Sequence, residues 1–423
     1  MKNWRNLCRL GAIIWLLSTR WAWTQSSLPA VVFNISADTT EYILVVDKQQ
    51  QKLFVVQSPQ PQDLQIIREF RITTGKEPGD KMREGDHRTP EGIYYVTDKV
   101  PTAQLSPKYG PAAYALDYPN FVDRLEGRNG SNIWIHGRDE AIRDRITEGC
   151  VSLENSHILQ LASYIQIRKT PVIICEDLSS QFKSDKNSYL AQQTQWQDYL
   201  SGWANAWKEG SLDKYIDYYA ANFRDEGGRN RVQFKAYKAN LEKRYEWKDV
   251  RLEKISVLMS KQETHVRFIQ KYQSPFFYSE GWKQLILIPT GNHWKIISEK
   301  FSPTRPRQNT AEFVEKFIQQ WLQAWRSRDL NAYLDCYAPD FHSDGYDRSG
   351  WRKYKAELFA AINQIDVQYD NLEVQTTQPL TYQVTFRQIY RADGYRDVGI
   401  KTVILKGPAD RLQIIQEEWK KIE

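Results

Sequence analysis

A histidine and a cysteine stand fourteen residues apart in the stretch IWIHGRDEAIRDRITEGCVSLEN, from Ile133 to Asn155. Such a pair can carry acyl transfer: the thiolate attacks a carbonyl, and an imidazole takes the thiol proton. The spacing is too long for one helical face, so a loop that leaves a strand and returns must bring His136 and Cys150 together. The apolar run before His136-Gly137 predicts a strand. After the cysteine, Ser152 is expected to cap a helix from about 152 to 165, with Glu154 in its first turn. The dipole of that helix would favour a thiolate at Cys150. Gly149 allows a close backbone approach, and the amides of Gly149 and Cys150 are candidates to face an oxyanion. Spacing alone leaves a plainer reading open, with His136 an edge histidine and Cys150 a small buried residue.

The elements that must position this pair form a mostly-β domain over 38–177. EYILVVDKQQQKLFVVQ reads as two strands around a polar turn, and LQIIREFRITTG, GIYYVTD, NIWIH and TPVIIC each read as a further strand. DLSSQFKSDKNS then reads as a linker. Beyond it the chain repeats itself. WANAWKEGSLDKYIDYYAANF and WLQAWRSRDLNAYLDCYAPDF align at an offset of 118, which also relates Phe268 to Phe386, Lys283 to Lys401 and Glu299 to Glu417. Each unit opens with apolar residues at helical spacing and closes on strands, which predicts two tandem α+β domains over 192–301 and 310–423, joined near SPTRPRQNT.

Of 423 residues, 41% are hydrophobic and 26% charged, a globular composition for about three domains. The net charge of +6 comes with no Lys/Arg-dense block or nucleic-acid motif, so nucleic acid is not an expected partner. Lys2, Arg5 and Arg9 precede a short apolar run, which predicts a signal peptide over 1–24, export to the periplasm, and a membrane anchor if it stays uncleaved. The exported chain keeps Cys150, Cys175 and Cys336, an odd set that leaves a free thiol. Cys175 lies in an apolar strand and Cys336 on an expected helix, so both read as packed. Only Cys150 sits beside a glycine turn. No His/Cys/Asp spacing suggests a zinc site, GKEPGDK lacks phosphate-loop spacing, and His87 and His157 read as local or packing residues. In the repeats, Asp225, Glu226 and Asp344 read as turn residues rather than catalytic carboxylates.

His136-Gly137 followed by Thr147-Glu148-Gly149-Cys150-Val151 resembles the signature of the L,D-transpeptidase (YkuD) domain. TTGKEPGDKMREGDHRTPEGIYYV (Thr73 to Val96) and LDYPN resemble the same domain in its branch near the L,D-carboxypeptidases. The resemblance covers about 40–177. It implies Cys150 as nucleophile, His136 as base and the Gly137 carbonyl as the group that orients the imidazole. It also implies Arg88, Thr147 and Ser152 at the substrate, and no cofactor or metal. The substrate would be a peptidoglycan tetrapeptide stem, held as a thioester after loss of its terminal D-alanine. The acceptor would be water, a second stem or a protein amine. Many transpeptidases have arginine at the position of Ser152 and histidine at that of Glu148. The alternative is a non-catalytic wall-binding or scaffolding protein with a vestigial catalytic domain. The two C-terminal units resemble the nuclear transport factor two-like cone. Their stretches RNRVQFKAYKANLEKRYEWK and RSGWRKYKAEL mix basic and aromatic residues, which suits glycan strands or a partner protein, through Arg244, Lys248, Arg352 and Lys353. Oligomers through the repeats are a further expectation.

Overall fold

The computed structural model describes residues 28–29, 32–34, 42–57, 65–178, 183–184, 186–291 and 293–422; the expected signal segment 1–24 lies outside them. Two short strands, β1 (Leu28–Pro29) and β2 (Val32–Asn34), precede the first domain. That domain is built from β3 (Ile43–Asp47), β4 (Lys52–Gln57), β5 (Gln65–Arg71), β6 (Gly92–Lys99), β7 (Ala113–Leu116), β8 (Trp134–Arg138), β9 (Val151–Glu154) and β10 (Pro171–Cys175). They form one sheet in the order β5-β4-β3-β10-β6-β7-β8-β9. β3 pairs with β10, and β8 with β9, in parallel; the other neighbours are antiparallel.

The central strands β3 and β10 are buried at every position, which their unbroken apolar runs require. Leu44, Val46 and Ile174 face one core with Tyr94, Ile135 and Leu153. Ile43, Val45 and Ile173 face a second core, which takes in Leu258 from the following domain.

Within the expected linker, β11 (Lys183–Ser184) pairs with β1, and a helix already begins at Lys186 and runs to Lys208. This helix, the Leu212–Asp217 and Arg231–Glu242 helices, and β12 (Tyr219–Asp225), β13 (Asp249–Met259), β14 (Thr264–Gln273), β15 (Phe277–Thr290) and β16 (His293–Pro303) make the first cone. Trp196, Leu200, Trp203 and Trp207, spaced by four, three and four, face its core. The joining segment carries β17 (Gln308–Asn309), paired with β15. The second cone has helices at Thr310–Ser327, Leu330–Asp335 and Arg348–Ala361. Its strands are the small hairpin β18 (His342–Ser343) and β19 (Tyr346–Asp347), then the sheet β20 (Ile365–Gln378), β21 (Thr381–Ala392), β22 (Tyr395–Lys406) and β23 (Gln413–Lys421).

Duplication extends to the buried polar chemistry. Trp203 Nε1 donates to the Tyr219 hydroxyl at 3.2 Å, and that hydroxyl reaches Glu299 at 2.8 Å. Trp321, Tyr337 and Glu417 repeat this at 3.0 and 3.0 Å. The architecture is thus the expected one: a mostly-β domain followed by two α+β cones.

The domains share more than linkers. β2 extends the first cone's sheet by pairing with β13. Buried Glu263 accepts from the Ile93 amide at 2.9 Å and Asn120 Nδ2 at 3.0 Å, both in the first domain. Asp410 of the second cone pairs with Arg251 at 2.5 Å and Lys271 at 2.9 Å of the first.

Candidate active site

The parallel register of β8 and β9 sets Ile135 opposite Val151 and His136 opposite Ser152. Cys150 feeds β9 from below, which brings it level with Trp134. Alternation along extended chain then puts Trp134, His136, Cys150 and Ser152 on one face. The Tyr109 ring closes this face, 5.1 Å from Trp134 and edge-on to His136 at 5.0 Å. Cys150 Sγ donates to the Asn132 carbonyl at 3.4 Å. Sequence reading passed over Tyr109 and Asn132, since a lone tyrosine and a backbone carbonyl carry no pattern.

His136 is 6% exposed, and its Nδ1 lies 2.7 Å from the Gly137 carbonyl. A carbonyl only accepts, so Nδ1 holds the proton and Nε2 keeps its lone pair. Burial holds the imidazole below its ordinary value of 6.5, helped by the charges of Arg138 and Lys108 and opposed by the Gly137 carbonyl. It is therefore neutral at pH 7 and able to accept a proton.

The helix expected over about 152–165 starts only at Asn155 and ends in a 3-10 turn at Ala162–Tyr164. Val151–Glu154 is the strand β9, because Val151 and Leu153 find buried places beside β8, and the helix spans only Asn155–Leu161. Its dipole therefore does not reach Cys150. Burial instead pushes the Cys150 thiol above 9.0, while the Trp134 amide and the charges of Lys108 and Lys81 draw it partly back. The resting pair is a neutral thiol and a neutral imidazole, so the proton must move during attack. Alkylation of Cys150 by iodoacetamide should therefore accelerate through the alkaline range, with a midpoint above the ordinary thiol value of about 8.5. A midpoint below 7 would mean a preformed ion pair and contradict this electrostatic account.

The turn into Cys150 is pinned from two sides. Thr147 Oγ1 accepts from the Gly149 amide at 3.2 Å and donates to the Cys150 carbonyl at 2.7 Å. Thr89 Oγ1 donates to the Gly149 carbonyl at 2.9 Å and accepts from the Gly75 amide at 2.8 Å. Gly149 has φ +134°, and a Cβ there would meet the Arg88 carbonyl at 2.9 Å, so only glycine fits. Beneath Thr89, the buried Lys48 ammonium holds the Thr89 carbonyl at 3.0 Å, Glu91 at 2.9 Å and Glu176 at 3.1 Å.

The other residues expected at the substrate fall differently. Ser152 is fully buried: its backbone pairs with Thr73, and its hydroxyl lies 3.4 Å from His136 Nδ1. Thr147 is 8% exposed, with its hydroxyl occupied as above. Both support the pair from behind and have no surface to offer a ligand. Half-buried Arg88 sends its guanidinium to the Asp80 carbonyl at 3.4 Å. The Gly149 amide, expected to face an oxyanion, is bonded to Thr147. Glu148 is exposed and paired with Lys76 and His87. Cys175 is buried and its thiol is pushed far up by burial; Cys336, half-buried beside Asp335, is pushed up to about 11.

Each cone holds a cavity, of about 570 Å³ in the first and 590 Å³ in the second. Buried Lys238 projects into the first, 4.1 Å from the Trp207 ring, and buried Lys355 into the second, 4.6 Å from Trp325. Burial lowers both ammonium groups to about 8. Of the four cations expected to bind, Arg244 and Lys248 line the first cavity, but Lys248 is buried against Glu242. Arg352 and Lys353 are exposed and do not line the second. Lys238 and Lys355 were missed because single lysines in basic amphipathic helices look like solvated ones.

A thiol and an oriented imidazole lie at the edge of a strand-rich domain, ahead of duplicated cones. Residues 195–300 and 313–418 each match the Cds6 C-terminal NTF2-like domain, and residues 41–174 match the YkuD L,D-transpeptidase catalytic domain. The chain belongs to the Cds6 C-terminal NTF2-like family, with a YkuD L,D-transpeptidase catalytic domain ahead of the two matched domains; the YkuD family acts on peptidoglycan stem peptides. YafK of Escherichia coli K12, provisionally named an L,D-transpeptidase, is 33% identical over 89 residues, covering 21% of this chain and 32% of that protein. The chain thus spans about a third of the length of the curated relatives it matches. Among solved structures, Bd1075 of Bdellovibrio bacteriovorus is similar at 28% identity and a TM-score of 0.60, over 66% of this chain and 99% of that one. Pgp2 of Campylobacter jejuni, described as a helical cell shape determining protein, is similar at 26% identity and a TM-score of 0.50, over 64% and 95%.

Proposed function

We propose that this protein is an exported cysteine enzyme that trims peptidoglycan tetrapeptide stems through a thioester on Cys150. The observation that carries the reading is the Gly137 carbonyl on His136 Nδ1, which frees Nε2 on the face that Cys150 shares. In the first step the Cys150 proton passes to Nε2 as the sulfur adds to the diaminopimelate carbonyl carbon. The C–N bond then breaks, the leaving D-alanine amine takes the proton from His136, and the thioester remains. The Cys150 amide is the turn's candidate donor to the oxyanion, since that of Gly149 is bonded to Thr147. Water, deprotonated by Nε2, then adds to the thioester; the C–S bond breaks and the sulfur recovers its proton.

Hydrolysis is favoured over cross-linking because Glu148, the carboxylate beside the Gly149-Cys150 turn, is already neutralised by Lys76 and also contacts His87. No free carboxylate of this turn is left to hold an acceptor ammonium. The cones, each with a buried lysine against aromatic rings, suit anionic wall polymer or a partner protein, and would hold the enzyme where it works. The likeness to Pgp2 supports a part in wall remodelling that bears on cell shape. Mass spectrometry of products from a disaccharide tetrapeptide alone is the test: tripeptide and free alanine are expected. Dimers with a 3–3 bond would instead make the enzyme a transpeptidase, and no product at all would favour the wall-binding alternative.

A further inference from the structure

The first cone reaches into the catalytic domain at the turn Ser260–Glu263, between β13 and β14. The turn is braced from within: the Ser260 amide donates to the Glu263 carbonyl at 2.8 Å, and the Glu263 amide to Ser260 Oγ at 3.2 Å. Glu263 is 1% exposed, and its Oε1 accepts from the Ile93 amide at 2.9 Å and Asn120 Nδ2 at 3.0 Å. Oε2 lies 3.0 Å from His265 Nε2. Gly92 leaves the room for this carboxyl: at φ +147°, a Cβ on it would stand 3.0 Å from Oε1. Next to Glu263, Gln262 donates to Asp80 at 3.2 Å and accepts from Arg128 at 2.9 Å, and Arg128 pairs with Asp80 at 2.6 Å.

These contacts fall at the two ends of one loop. Asp80 opens it, Gly92 and Ile93 close it into β6, and the Glu91 amide ties the ends together by donating to Asp80 at 2.8 Å. The middle of the same loop holds the nucleophile's turn. Thr89 Oγ1 donates to the Gly149 carbonyl at 2.9 Å, and the Arg88 carbonyl is what a Cβ on Gly149 would strike. Loop 80–93 therefore links the cone's turn to the Gly149-Cys150 turn through hydrogen bonds and close backbone contact. Removing Glu263 leaves the Ile93 amide and Asn120 without their acceptor, and a buried donor so stranded costs enough to make its segment shift. A reacting group misplaced by about 1 Å loses on the order of 10²-fold in rate.

We infer that the first cone is a working part of the catalytic centre as well as a tether: Glu263 and Gln262 are positioning residues that set the Cys150 turn through loop 80–93. Their effect on rate rests on the thioester reading of Cys150; their effect on the turn does not.

The test uses the full chain with Glu263→Ala, and with Glu263→Gln, whose amide oxygen still serves Ile93 and Asn120. One readout is kcat and KM for a soluble disaccharide tetrapeptide. The other is hydrogen exchange of the peptide spanning 145–152, compared with one from β4. Glu263→Ala should lower kcat by about tenfold or more with KM within about twofold, and speed exchange over 145–152 by about tenfold while β4 stays unchanged. Glu263→Gln should stay within about threefold of wild type in both readouts. Gln262→Ala, at a half-buried site, should show the same pattern at smaller size, and it carries the test if Glu263→Ala does not fold. Unchanged exchange over 145–152, or an unchanged kcat, overturns the inference. So does an equal rise in exchange at β4, because Glu263 would then only hold the domain folded. Failure of the thioester reading is distinguishable: wild type would turn over no stem, and the exchange of 145–152 would still decide whether the cone sets the turn.

Discussion

Cys150→Ala should lower turnover of a tetrapeptide stem by about 10⁴-fold or more, while the chain keeps its fold. The size follows from the role: without sulfur no thioester forms, and the groups that remain only position water. Little structural cost is expected, since the side chain is half-buried and its sulfur makes only weak contacts, with the Asn132 carbonyl and the Trp134 amide. Kinetics with that stem check the loss, and circular dichroism checks the fold. Activity within tenfold of wild type would remove Cys150 from the mechanism. It would also favour the wall-binding alternative, in which the catalytic domain is a remnant.

The second large effect is on stability. Lys48→Met should destabilise the catalytic domain by about 3 kcal/mol, because it strands carboxylates that the ammonium now neutralises. The Lys48 side chain is 1% exposed, against 17% for Glu91 and 29% for Glu176. Against the pull of its own partial burial, Lys48 and Arg145 hold the Glu176 carboxyl below its ordinary 4.5. A lowered carboxyl contributes stability above the unfolded value. That contribution is therefore present at neutral pH and fades as pH falls below 4.5 through the lowered value. Pulsed thiol labelling of Cys175, buried in β10, reports opening of this domain alone along a urea series. The midpoint should fall clearly at pH 7, and the gap to wild type should narrow in acid. An unchanged midpoint would show that the Thr89 support does not depend on this cation.

How much of this was legible depended on whether a signal was local. His136, Gly137 and Cys150 stood out because their types and order survive as a short motif, and the cones because aromatic positions recur at one offset. The strand Val151–Glu154 was misread because Ser152 before polar residues looks like a helix cap, whereas the pairing with β8 that decides the matter is tertiary. The same strand buries Ser152 against Thr73, which no neighbour in sequence announces. Lys238 and Lys355 stand 117 residues apart, one short of the offset of 118 found elsewhere, so the repeat alignment itself hid their equivalence. Glu263 lies in no motif, and its burial against Ile93 and Asn120 comes only from the docking of two domains.

The most direct measurement is of the covalent intermediate. Full-length protein mixed with a disaccharide tetrapeptide, quenched in acid within a turnover and digested, should yield the peptide carrying Cys150. It should bear the mass of the stem without its terminal alanine, and mild hydroxylamine should release it, as for a thioester. His136→Ala should accumulate far less of this adduct in the same time. Tripeptide formed at the wild-type rate with no adduct on Cys150, or with the adduct on another residue, would contradict the account.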